Sequence, residues 1–204
     1  MWDGIENAGR GAHDPNATVW KDLSLNGRDA TLGGTYSWGE KFWHVESVSG
    51  QGLAIWPAQN LGSDQTIEFV ISPIAAATYG RIISEAQSVA SPVARGNVVT
   101  SLYMYGYGID RAVGTIGNMF TLHSHCITHP SGGPLTWYVD GEAIASSPTS
   151  SDSVGTTNGR FANTASLNKG IDADYYCVRF YNRVLTAEEI ALNYAIDRIR
   201  FGLP

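Results

Sequence analysis

The sequence predicts an all-β protein: an antiparallel two-sheet jelly-roll β-sandwich with one short C-terminal helix. Three observations carry the prediction. Short apolar runs alternate with polar residues and recur at spacings near ten residues. Glycine, proline, Asn-Gly and Asp-Gly steps punctuate them, and one helix start signal stands close to the end. The 204 residues include 23 glycines and are 43% hydrophobic but only 16% charged. That composition suits many strands joined by tight turns in a single domain over residues 1–204.

Taken in order, Met1 and Trp2 run straight into Asp3-Gly4 and read as the end of a strand, as in a domain belonging to a longer protein. Asp14-Pro15 and Asn26-Gly27 are turn signals, because Pro fixes φ and Gly accepts positive φ. Residues 35–56 alternate in short pieces. Thr66–Ile74 is a strand with an apolar face at Ile67, Phe69 and Ile71, and residues 80–86 form another. Residues 87–97 read as a loop by their Ser, Pro and Gly content. Residues 101–109 read as one strand with Tyr103, Tyr105, Tyr107 and Ile109 on a shared face. A hairpin follows, with "PSGG" (130–133) as its turn, then a second tight turn at Asp140-Gly141. Residues 146–159 are a long surface loop and 175–182 the last strand. In the helix after it, Thr186 is the N-cap and Glu189 completes a capping box. Ile190 and Tyr194 recur at i, i+4, giving the helix a side to lay over an apolar edge or end of the sandwich.

Charge and motifs exclude several classes. The formal net charge is -6 and Lys and Arg form no run, so nucleic acid and anionic membrane surfaces are not expected partners. No apolar run approaches the ~18 residues of a membrane span, and the N-terminus lacks a basic segment followed by an apolar one. A soluble chain with no membrane insertion and no export signal of its own is expected. Cys126 and Cys177 are too few for a disulfide framework. They pair only if their strands adjoin, and two buried free thiols are the more frequent outcome.

Three stretches resemble a known family. "WKDLSLNGRDATL" (20–32) is similar to the early loop of laminin-G-like, concanavalin A-like jelly-roll domains, with Leu25 and Arg28 where Gly and Asn are usual. "LTWYVDGEAI" (135–144) resembles their strand and Asp-Gly turn, and "DADYYCVRFYNRVLTAEEIALNY" (172–194) their closing strand and capped helix. The resemblance implies a non-catalytic module that contacts carbohydrate or protein, commonly with calcium. Its settings are bacterial cell surfaces, phage virions and multidomain glycosidases, so an extracellular, cell-surface or virion location is expected. The implied partners are a glycan or host-surface polysaccharide, or other chains of its own assembly.

Candidate site residues follow from chemistry. Sugars stack on exposed aromatics and bond to polar groups around them. The ladder Tyr103, Tyr105, Tyr107 is the first candidate ligand face, and the pair Trp38 and Trp43 with His44 is the second. Calcium needs oxygen ligands, which Asp22 and Asn26, with Asp29, supply in one loop; Asp172 and Asp174 precede the last strand. His123 and His125 at i, i+2 point the same way as a transition-metal pair would, yet with no acidic neighbour in sequence they read as half-exposed strand histidines. Glycoside hydrolysis needs paired carboxylates in one cleft. Glu40 and Glu46 are the nearest approach and lack the central Asp of the hydrolase motif, so no enzyme is expected.

Overall fold

A computed structural model of the chain describes residues 1–57, 64–76, 80–85, 93–97, 101–106, 109–115, 120–149, 159–164, 166–167 and 169–204. Among the described residues the strands are β1 (Trp2–Asp3), β2 (Val19–Trp20), β3 (Ala30–Gly33), β4 (Thr35–Trp38), β5 (Trp43–Glu46), β6 (Leu53–Trp56), β7 (Gln65–Ala76), β8 (Gly80–Glu85), β9 (Val93–Asn97), β10 (Ser101–Gly106), β11 (Ile109–Thr115), β12 (His123–His129), β13 (Pro134–Val139), β14 (Glu142–Thr149), β15 (Gly159–Phe161) and β16 (Ile171–Tyr181). Helix α1 (Ala187–Asp197) and one π-helical turn (Arg198–Gly202) close the chain.

The strands form two eight-stranded antiparallel sheets. Sheet I has the order β14-β13-β12-β7-β16-β5-β4, with β1 also paired to β16, and sheet II the order β11-β10-β9-β8-β15-β6-β3-β2. Alternation along each strand sends one set of side chains between the sheets. From sheet I this inner set includes Ile67, Phe69, Ile71, Ile127, Trp137, Tyr175 and Val178; from sheet II it includes Trp56, Ile83 and Phe161, all in one buried cluster. Tryptophan dominates its centre. Trp2 meets Phe161 edge-on at 5.6 Å, and Trp20 lies 5.9 Å from Trp43. Gly159 must be glycine, because a Cβ there would stand 1.8 Å from the Trp56 ring.

The outer face of sheet I is covered in its middle by the end of the chain. Ile190 of α1 packs with Cys126 and Leu185, while Phe201 and Leu203 pack with Val70 and Cys177. β7 is therefore buried on both faces, with Thr66, Glu68 and Val70 as closed off as Ile67 and Phe69. The helix begins as its sequence signal requires. The Glu189 amide donates to Thr186 Oγ1 at 3.3 Å and the Thr186 amide to Glu189 Oε2 at 2.9 Å, a complete capping box. The helix covers a sheet face, not the edge or end expected from sequence, because β16 is an interior strand between β7 and β5.

Other expectations change in detail. Val93–Asn97, read as loop, is strand β9, and the run read as one strand from residue 101 is a hairpin of β10 and β11. Ile109 consequently belongs to a different strand from Tyr103 and Tyr105. The run carries strand-forming residues throughout, so its sequence has no internal mark of the reversal beyond two glycines. The Asp140-Gly141 turn is as expected, with φ of 51° and 82°, the left-handed pair that matches the twist of a two-residue hairpin. Cys126 and Cys177 are buried free thiols, on strands separated by β7. None of the described helices is long and apolar enough to cross a membrane.

Candidate functional site

Where the C-terminal segment ends, the outer face of sheet I is open, and a polar row crosses four strands there. Ser37 of β4 stands opposite His44 of β5, His44 opposite Asp174 of β16, and Asp174 opposite Ser72 of β7. Strand alternation puts them outside: Trp43, Val45, Tyr175 and Ala173 face the core, so His44 and Asp174 between them face out. His44 Nδ1 and Asp174 Oδ1 are 2.7 Å apart, with side chains 30% and 19% exposed.

An aromatic pair adjoins the row. Phe42 lies on the His44 side, and Tyr176, two residues beyond Asp174 on β16, faces out with it, followed by a β-bulge. The register moves from Tyr175 opposite Ile71 to Cys177 opposite Val70, so Tyr176 and Cys177 both face out. The Phe42 and Tyr176 rings are 5.2 Å apart, and Phe201 braces Tyr176 edge-on at 5.7 Å. Burial first, and then the charge of Asp174, hold the Tyr176 phenol above its ordinary pKa, which places the hydroxyl within reach of that carboxylate's field. Among the described residues, His44 Nε2, Asp174 Oδ2 and the hydroxyls of Ser37 and Ser72 have no hydrogen bond. With Nδ1 held by Asp174, the imidazole is oriented and presents Nε2 outward. The patch thus offers an aromatic platform beside several polar groups that are fixed in place and not consumed by the fold.

The residues singled out from sequence fare differently. Trp43 is fully buried between Trp20 and Tyr175 and presents no ring face to a ligand. The alternation that sends His44 out sends Trp43 in. Trp38 is half-buried, edge-on to Trp20 at 5.6 Å, with its indole N–H donated to the Ala17 carbonyl at 2.8 Å. It extends the core to the sheet edge. Tyr103 and Tyr105 lie on β10 of sheet II; their side chains, and Tyr107 altogether, lie outside the described residues.

The loop expected to hold calcium is saturated by its own backbone and side chains. Asp22, 1% exposed, accepts from the Met1 nitrogen and the Ser24 amide on Oδ1, and from Ser24 Oγ and the Arg28 amide on Oδ2. Asn26 donates to Ser24 Oγ, and Asp29 accepts from Lys21 and the Asp22 amide. Burial raises the Asp22 pKa, but these hydrogen bonds outweigh it and hold the carboxyl at about 2. Asp22 and Asn26 do not fit a calcium site here. Asp172 is also engaged, accepting from the Ser47 and Val48 amides. Among the described residues no group of three or more His, Cys, Asp and Glu is placed to hold a metal ion.

His125 and His129 of β12 are buried, contrary to the half-exposed expectation, whereas His123 keeps a partly exposed side chain. His125 lies between Phe69 at 4.9 Å and Trp137 at 5.8 Å, accepts from Trp137 Nε1, and is held neutral by burial, with a pKa lowered to about 3. His123 bonds to Asp140 at 2.6 Å. The carboxylates Glu68 and Asp197 converge on Arg179, but they are 4% and 1% exposed beneath α1. They form a structural ion cluster, not an acid and nucleophile facing a cleft.

A sequence profile of the concanavalin A-like lectin/glucanases superfamily matches residues 48–191. No sequence among curated proteins matches the chain significantly. Similar solved structures include Trypanosoma rangeli sialidase, with a TM-score of 0.70 and 14% identity over 92% of this chain and 32% of that one. The binding domain of Paraclostridial Mosquitocidal Protein 1 gives 0.62 and 17% over 85% and 48%. A botulinum neurotoxin type C chain gives 0.71 and 11% over 96% and 50%. The chain therefore spans between a third and a half of these proteins, and at such identities the likeness concerns the fold. With the profile covering most of its length, the chain belongs to the concanavalin A-like lectin/glucanases superfamily.

Proposed function

We propose that this chain is a non-catalytic carbohydrate-binding module whose glycan-facing surface is the patch formed by Phe42, His44, Asp174 and Tyr176. The observation that carries the reading is the aromatic pair set beside a row of unengaged polar groups. A sugar ring stacks on an aromatic face while its hydroxyls bond to a carboxylate and an imidazole, and the patch holds both kinds of group on two neighbouring strands. Its openness suits a chain of sugars lying across the sheet. The family supports the reading. So do structural relatives described with such ligands: the botulinum neurotoxin type C protein interacts with two ganglioside molecules, and Trypanosoma rangeli sialidase has been solved with sialic acid. The partner is a glycan or host-surface polysaccharide, and the setting an extracellular, cell-surface or virion protein.

A glycan array probed with the labelled chain tests the proposal. Binding to at least one class of glycan is expected, lost in Tyr176→Ala and Asp174→Asn and insensitive to chelators. An array on which the parent chain retains nothing would end the reading. Binding that survives both substitutions but is lost in Tyr105→Ala would move the ligand face to β10 of sheet II.

A further inference from the structure

Helix α1 has a second side that the sandwich does not use. Opposite the buried Ile190 and Asp197, the side chains of Leu192, Ile196 and Ile199 are 61%, 51% and 87% exposed. Leu192 and Ile196 fall at i, i+4 on α1, the spacing of an apolar stripe that a helix ordinarily turns toward a partner, and Ile199 lies just beyond them in the π-helical turn that continues the helix. Ala191 and Ala195, also exposed, lie along the same stripe and leave room for a second backbone to come close. The charges on this side, Glu188 and Arg198, are exposed and stand at its opposite ends. Neither makes an ion pair among the described residues.

This pattern is self-complementary. A two-fold axis at the level of Asn193 brings Glu188 of one helix opposite Arg198 of another, and the same axis brings Ala191 opposite Ala195. Both pairs share the midpoint 193, so one antiparallel arrangement satisfies the charges and the close approach together. A parallel arrangement would set like charges side by side. Antiparallel packing also places each helix's positive end near its neighbour's negative end. Such matching of a surface to its own rotated copy is what an isologous dimer requires.

We propose that the outer face of α1 is the seam of a homodimer, two copies packed antiparallel with Glu188 of each against Arg198 of the other and Leu192, Ile196 and Ile199 buried between them. The inference stands apart from the glycan reading, since it concerns the opposite side of the helix from the sheet and needs no ligand.

Sedimentation velocity on the whole chain from about 1 to 100 µM tests it, a range that captures Kd values of ordinary dimers. A sedimenting dimer is expected at the upper end. Ile196→Glu should leave a monomer throughout, with the far-UV circular dichroism and melting temperature of the parent. Glu188→Arg and Arg198→Glu should each weaken association at least tenfold, and the double reversal E188R/R198E should restore it. A parent chain that stays monomeric at the highest concentration overturns the proposal, as does a dimer that Ile196→Glu leaves intact. A dimer that each single reversal weakens but the double reversal does not restore overturns the antiparallel pairing.

Discussion

One face of sheet I carries two polar constellations built from similar residues, and they have opposite fates. Beneath α1, Arg179 is bridged to Asp197 at 2.7 and 2.5 Å, and Glu68 accepts from Tyr181 at 2.9 Å and from Asn193 at 3.0 Å. Farther along β16, Asp174 holds His44 at 2.7 Å, and among the described residues its second oxygen is unengaged. Both constellations sit on β16 and are anchored by a carboxylate. The difference is the cover. Under the helix every polar group must be satisfied by the chain, because a buried unpaired charge is costly. Beyond the helix water does the satisfying, and the groups stay available to a ligand. The lesson is that a charged cluster's role in this fold is set by what lies over it more than by its residue types.

That contrast can be broken most sharply at Arg179. Arg179→Met strips the buried carboxylates of their cation and is expected to cost about 3–5 kcal/mol in urea unfolding. A loss below about 1 kcal/mol would mean that the covered cluster is as solvated as the open one.

The inner face of the same sheet supplies the limiting case of burial. His125 has a folded-state pKa of about 3 against an ordinary 6.5, so the unfolded chain binds the extra proton first. The contribution of neutral His125 is fully present above pH 6.5 and is lost as pH falls toward 3, amounting to about 2 kcal/mol by pH 5. His125→Phe should flatten stability against pH over that window; an unchanged slope would show that another group sets it.

Smaller effects test the cover itself. Thr186→Ala removes the capping side chain and should cost about 1 kcal/mol, read as a lower denaturant midpoint at constant m value. Within the covered cluster, Glu68 is held above its ordinary pKa, chiefly by burial. The native state therefore keeps its proton to higher pH, and stability falls as pH rises through the window above the ordinary 4.5. Glu68→Gln should remove that fall, measured by melting temperature against pH. The smallest effect on stability is expected in the open patch. Asp174→Asn should stay within about 0.5 kcal/mol of the parent while removing glycan binding. A large destabilisation would make Asp174 a fold residue like Asp197.

The patch was partly legible in the sequence. His44 stands beside Trp43 in one alternating run, and Asp174 is a carboxylate just before the last strand. Nothing linear joins them, since 130 residues separate the two. Trp43 and His44, neighbours in sequence and both in the second candidate group, lie on opposite faces: the tryptophan is buried and the histidine is on the open side. The alternation in "FWHVE" was visible, but which parity pointed inward depended on the pairing with Tyr175. Tyr176 shares its parity with Asp174, but that Cys177 beside it also faces out has no signal in sequence, because it comes from a bulge and a bulge is a property of two strands in register. The calcium expectation had the right residue types in the right loop. In the structure backbone amides and a serine hydroxyl bond to the Asp22 oxygens, as short polar side chains in turns commonly allow.

By itself the sequence determined the local and periodic features: strand after strand of alternating residues, the Asp140-Gly141 turn, the capped helix beginning at Thr186, and the family to which they belong. These depend on neighbours a few residues away, where the chain's own stereochemistry is the governing force. Only the tertiary structure decided which side of each strand is inside, that α1 lies over a face of sheet I, and which carboxylates remain open. Those outcomes follow from contacts between residues a hundred or more positions apart. There the burial of large apolar surfaces, Trp43 and Tyr175 among them, fixes the register and leaves the polar residues to take whichever side remains.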